Sequence, residues 1–159
     1  MIFTFYSFKG GVGRSMAVAN IAELLYRRGL RVIMVDFDLE APGLERFFDL
    51  PGISDSRGII DMISSYRNLS SLPNPGPLID RKSRLLDQES SLPLFVEPIS
   101  NFIVPIHQNN AEEKFLSLIP AGRRSGEEIA HYAEKLRSIN WNDLYANRDG
   151  ERFFNWCRV

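Results

Sequence analysis

The chain has 159 residues, enough for one domain with a real core. Apolar residues make up 44% and charged residues 25%, with a formal net charge of −1, so no global basic field is present to hold DNA. A single cysteine, Cys157, excludes an internal disulfide and leaves no second thiol to help hold an iron–sulfur cluster.

The opening residues, Ile2 to Ser7, are apolar on both faces and predict a buried parallel strand. No basic segment precedes an apolar one there, so the start does not read as a signal peptide, and no apolar run approaches the length of a membrane span. The expected location is the cytoplasm. The next stretch is Lys9-Gly10-Gly11-Val12-Gly13-Arg14-Ser15, followed by a helical pattern from Met16 to Arg28 that Gly29 stops. Strand, glycine-rich turn and helix in that order point to phosphate binding. Glycines let backbone N–H groups approach a polyphosphate, and the helix directs its positive end to the same place. The phosphate-binding residues are therefore expected from Lys9 through Gly10, Gly11, Val12, Gly13, Arg14 and Ser15 to Met16. Arg14 stands where a cation would reach the β- and γ-phosphates, and Ser15 where a hydroxyl would bind Mg²⁺. Against the general pattern G-x-x-x-x-G-K-[ST], Phe8 replaces the first glycine and Arg14 replaces the lysine.

Arg31 to Asp36 predicts a second strand of β-branched and apolar residues ending in an acid. The first strand, helix and second strand form a βαβ unit with a right-handed crossover. Phe37-Asp38-Leu39-Glu40-Ala41-Pro42-Gly43 follows. Both carboxyl strand ends lie on one sheet edge, so this acidic loop is expected to face the same crevice as the glycine-rich turn.

A short helix is expected over Leu44–Phe48 and a longer one over Arg57–Tyr66, whose apolar face carries Ile59, Ile60, Met62 and Ile63. Residues 67–93 are rich in Ser, Pro and Asn and read as a surface excursion. Phe102–Ile106 and Phe115–Ile119 are two further strands, with Pro105 placing the first at an edge. Glu127–Ile139 reads as a helix with Ile129, Ala130, Ala133 and Leu136 on one face. Trp141–Tyr145 and Gly150–Trp156 read as helical pieces, and Trp141, Trp156 and Phe153-Phe154 as core anchors. His107 and His131 lack metal-ligand spacing, and Arg123-Arg124 reads as a solvated face.

The stretch Lys9–Ser15 resembles the deviant Walker A motif, K-G-G-x-G-K-[ST], of the ParA/MinD family of P-loop ATPases. It is most similar to a subgroup that reads K-G-G-V-G-R. Pro120-Ala121-Gly122-Arg123 extends that likeness, because a similar strand in the subgroup ends in Pro-Ala-Gly-Arg. The resemblance implies an α/β, three-layer P-loop NTPase fold with a mainly parallel sheet. It also implies that an apolar strand ending in Asp should follow, so residues 1–159 are expected to be the N-terminal portion of one domain, incomplete at the C-terminus. Lys9 would be the signature lysine, reaching nucleotide across a dimer interface. In the pattern D-x-D, Asp38 would position or activate the attacking water, and Asp36 would lie nearer the metal. The implied activity is binding and hydrolysis of Mg·ATP as a homodimerisation switch that controls a protein or DNA-linked cargo. A nucleotide-sensing interaction module with little hydrolysis, and an inactive half-domain, are the alternatives.

Overall fold

A computed structural model describes residues 1–70, 97–109, 113–147 and 153. The elements run α1 (Arg14–Arg27), β1 (Val32–Val35), α2 (Ile59–Ser70), β2 (Val104–Asn109), β3 (Lys114–Ile119), α3 (Glu128–Ser138) and α4 (Trp141–Asn147). Short 3₁₀ turns occupy Leu44–Phe47, Ile53–Asp55 and Ile99–Phe102.

The described sheet has the order β1-β3-β2. β1 runs parallel to β3, pairing Val32 with Leu116 and Val35 with Ile119. β2 runs antiparallel to β3 and carries an irregularity between Pro105 and His107. Pro105 has no N–H to give a ladder, which suits its place on this edge strand. The sheet is thus mixed rather than mainly parallel among the described residues.

β3 is buried on both faces, and its period of two decides which layer each residue meets. Leu116 and Leu118 pack with Met34, Leu44 and the small residues Ala19 and Ala22 of α1. Ile119 meets the opposite layer, where Ile59, Ile60, Met62, Ile63 and Tyr66 of α2 join Tyr132, Leu144, Phe102 and Phe153. Each fully buried aliphatic side chain here contributes about 2 kcal/mol of transfer free energy. The result is a three-layer arrangement: α1, then the sheet, then α2 with α3 and α4.

The start of α2 fits against the end of β3 with no spare room. Ile59 and Ile60 donate their N–H groups to the carbonyls of Pro120 and Ala121, each at 2.9 Å. A Cβ on Gly58 would lie 1.9 Å from the Pro120 carbonyl oxygen, so no larger residue fits. Asp61 closes the helix entrance by accepting the Gly58 N–H at 3.0 Å, and Lys135 of α3 reaches its other oxygen at 2.8 Å.

Four expectations are corrected. Residues Ile2 to Ser7 form no ladder, and Ile2, Phe3 and Tyr6 are exposed. An apolar segment becomes a buried strand only beside a neighbour, and β1, which would offer the nearest parallel edge, pairs on one side only, with β3. On α3 the buried residue is Tyr132, whereas Ile129 is exposed. Trp141 is half-exposed and meets Phe37 at 6.1 Å between ring centroids instead of anchoring the core. The helix over Arg57–Tyr66 begins two residues later and continues to Ser70, into the segment read as an excursion. The rest of that excursion, and the helical piece at 150–156 apart from Phe153, lie outside the described residues. So do Trp156 and Cys157.

A candidate phosphate-binding site at the carboxyl edge of the sheet

The glycine-rich turn is shaped by its own backbone. Gly11 has φ 74° and Gly13 φ 80°, the left-handed region where a Cβ collides with the following carbonyl. Gly13 is the residue from which α1 springs, and Ala17 donates the first helical hydrogen bond to its carbonyl at 2.9 Å. No side chain caps this helix and no acid stands in its first turn, so the early N–H groups are left to an anion. No heavy atom lies within 4 Å of where a Cβ would stand on Gly10 or Gly11. Glycine here keeps open a space that faces outward. Around the turn, Lys9, Val12 and Met16 are exposed, and Arg14 and Ser15 are half-buried.

Arg14 ties the turn to the sheet. Its guanidinium donates through Nη1 to Ser7 Oγ at 3.2 Å and through Nη2 to the Asp38 carboxylate. This contact places the glycine-rich turn at the carboxyl end of β1, next to the acidic loop. Arg and carboxylate are each about a third exposed, so solvent weakens the pair. A planar guanidinium has donors to spare, and the pair occupies only one side of the fork.

The acidic loop is organised around Asp36. That carboxylate is 5% exposed and accepts three backbone N–H groups: Asp38 at 3.2 Å, Gly43 at 3.0 Å and Leu44 at 3.1 Å. Burial pushes the Asp36 carboxyl above its ordinary value, against the pull of those three donors. Asp38 stands differently: half-exposed, it accepts the Ala41 N–H at 3.2 Å and turns its other oxygen to Arg14. Two aspartates two residues apart therefore meet opposite surroundings, one folded into the loop and one held at the rim. Glu40 is exposed.

Further residues reach the same loop from distant parts of the chain. Tyr132 donates its hydroxyl to the Leu39 carbonyl at 2.7 Å. Burial pushes its phenol up to about 12. Arg124 pairs with Glu45 at 2.6 Å, with side chains only 14% and 13% exposed. Its guanidinium also lies 5.8 Å from the centre of the Tyr132 ring, and its N–H donates to the Ser54 carbonyl at 2.7 Å. Arg124 is thus a packed cation and not the solvated residue its Arg-Arg neighbourhood suggests. Sequence reasoning missed Glu45, Arg124 and Tyr132 as loop contacts. The one available signal was a tyrosine amid the small and aliphatic residues of an amphipathic helix.

The turn, the uncapped helix and the acidic loop meet at one edge of the sheet. Over residues 3–144, a span that takes in all of them, the sequence matches the family described as the CobQ/CobB/MinD/ParA nucleotide binding domain. The chain belongs to that family. No curated protein and no solved structure matches it. Membership makes this a nucleotide-binding domain of the P-loop class, and among the described residues no helix is long and apolar enough to cross a membrane.

The residues present fit a nucleotide polyphosphate with its metal. Open backbone donors, Arg14 and the exposed ammonium of Lys9 suit the phosphates, and the Ser15 hydroxyl at the helix start suits the metal. Asp36, expected on the metal side, has both carboxylate oxygens engaged by backbone donors.

Proposed function

We propose that the chain binds Mg·ATP at the Lys9–Met16 turn and hydrolyses it, with the bound state controlling assembly with a second copy and with a protein or DNA-linked cargo. The observation that carries this reading is the Arg14–Asp38 contact, which sets the phosphate-binding cation beside a half-exposed carboxylate. In this reading Gly10, Gly11, Val12 and Gly13 offer backbone donors to the phosphates, with Met16 closing the turn. Arg14 binds the terminal phosphates. Lys9 reaches nucleotide held by the partner copy. Ser15 holds Mg²⁺, and Asp36 acts on the metal side through the loop that it staples. The metal would neutralise phosphate charge. Asp38 orients the attacking water once Arg14 has turned to the phosphates, so the resting ion pair and the working site use the same two residues. Phosphoryl transfer needs chiefly position and charge neutralisation, which these groups supply.

The same contact also favours a second reading, a nucleotide sensor with little turnover, in which Arg14 exchanges Asp38 for phosphate and no water is activated. One titration and one assay test both. Calorimetry of the full chain with Mg·ATP should give micromolar binding, weakened roughly 100-fold in Arg14→Ala by loss of charge-assisted hydrogen bonds. Absence of heat from a folded parent chain overturns nucleotide binding at this turn. Phosphate release by the parent, lost in Asp38→Ala with binding kept, supports hydrolysis. Binding without any phosphate release leaves the sensor.

A further inference from the structure

The segment from Asp36 to Glu45 carries Asp38 and is held at both ends and in the middle. Asp36 binds the Gly43 and Leu44 N–H groups, which closes the loop on itself. Tyr132, on α3, grips the carbonyl of Leu39, the residue after Asp38. Arg124, beyond the end of β3, grips Glu45, the residue after Leu44. Arg124 and Tyr132 also touch each other, guanidinium over ring, so the two external grips form one unit.

The Arg124–Glu45 contact is one-pronged. Arg124 meets Glu45 through Nη2 and Oε1, and Arg124 Nη1 and Glu45 Oε2 are buried with no hydrogen-bond partner among the described residues. A fork-to-fork pair would engage both. The geometry kept instead sets Glu45 relative to the loop. Arg124 is also tied through its own backbone N–H to the Ser54 carbonyl, which anchors its main chain independently of Glu45. A pair whose placement is anchored from one side transmits that placement to the other.

We propose that Arg124 and Tyr132, with Glu45, are positioning residues that fix the Asp38 carboxylate for water attack. This assignment rests on the ATPase reading above. Among the described residues, no hydrogen bond, ion pair or ring contact joins any of the three to residues 8–15, so they act on the chemical step and leave nucleotide affinity to the turn itself. The Tyr132 hydroxyl sets the backbone one residue from Asp38, and the Arg124–Glu45 pair sets the loop's far end.

The test compares the parent chain with Tyr132→Phe, Glu45→Gln and the exchanged pair Glu45→Arg with Arg124→Glu, measuring Mg·ATP turnover and Kd separately. Misplacing a reacting group by an ångström lowers turnover roughly 100-fold. Tyr132→Phe and Glu45→Gln should therefore each lower kcat by about tenfold or more, with Kd within about threefold of the parent. The exchanged pair should recover part of that loss. Adding Tyr132→Phe to Asp38→Asn should cost no further turnover, because the hydroxyl works only through that carboxylate. Unchanged kcat in both single variants overturns the assignment while leaving the ATPase reading intact. So does a fall that persists on the Asp38→Asn background, because a merely structural role would produce it. A parent that binds Mg·ATP and releases no phosphate overturns the ATPase reading and this assignment together. Urea midpoints of the variants separate a loss of fold from a loss of position: a kcat loss explained by unfolded protein also counts against positioning.

Discussion

Two loops meet at the carboxyl edge of the sheet, and they are held in opposite ways. Residues 8 to 13 take their shape from the chain itself: two glycines at positive φ and the helix that follows. Their side-chain tie to the sheet is Arg14, shared between Ser7 and Asp38. Asp36 to Glu45 is held by Asp36 within the loop, by Tyr132 from α3 and by Arg124 from the β3 exit. The difference separates two requirements. A phosphate cradle needs backbone N–H groups and space, which local conformation provides. In the proposed reading Asp38 directs water, and such a carboxylate needs one fixed position, which only packing from elsewhere provides.

The most severe way to break the held side is Gly58→Ala. A methyl group there meets the Pro120 carbonyl and forces α2 away from the residues that lead to Arg124. We expect a loss of about 3 kcal/mol, read from urea denaturation, with the glycine-rich turn unchanged in local shape. A parent-like midpoint would show that α2 and β3 separate at no cost.

Asp36→Ala should cost about 2 kcal/mol, because three N–H groups lose their acceptor inside a buried loop. Its pH dependence sharpens the point. Burial raises the folded carboxyl above 3.8, so this group's contribution is fully present below 3.8 and is lost as pH rises through the raised value. The stability gap between the parent and Asp36→Asn should therefore narrow from acid pH toward neutrality. A gap that widens would mean that the N–H donors outweigh burial.

Asp38→Asn cuts the bridge between the two loops. It frees Arg14 and removes a negative charge beside the phosphate cradle, so Mg·ATP should bind more tightly, by about tenfold or less given the exposure of the pair. Phosphate release should fall at the same time. Weaker binding in calorimetry would show that Asp38 holds Arg14 ready for phosphate instead of competing for it.

How much was legible in the sequence differs between these loops. Lys9 to Ser15 could be read directly, since a turn that needs glycine announces itself within seven residues. The helix over 14–27, the strand over 32–35 and the apolar face of α2 followed from periodicity, which depends on neighbours along the chain. Ile2 to Ser7 shows the limit of that method. Its apolar run is compatible with a buried strand, yet burial depends on whether another strand lies beside it. Trp141 and Ile129 mark the same limit, because hydrophobicity alone does not say which side of a helix finds a neighbour. Arg124 looked solvated because Glu45 is far away in sequence, and no local pattern can announce a partner at that separation.

The sequence by itself determined the glycine-rich turn, the helix behind it and the family, because glycine conformation and helical period are written in adjacent residues. Only the tertiary structure decided that Asp36 is folded into its loop while Asp38 stands at the rim. It also decided that Tyr132 and Arg124 hold the segment between them. Two aspartates are alike until packing desolvates one and sets a cation beside the other.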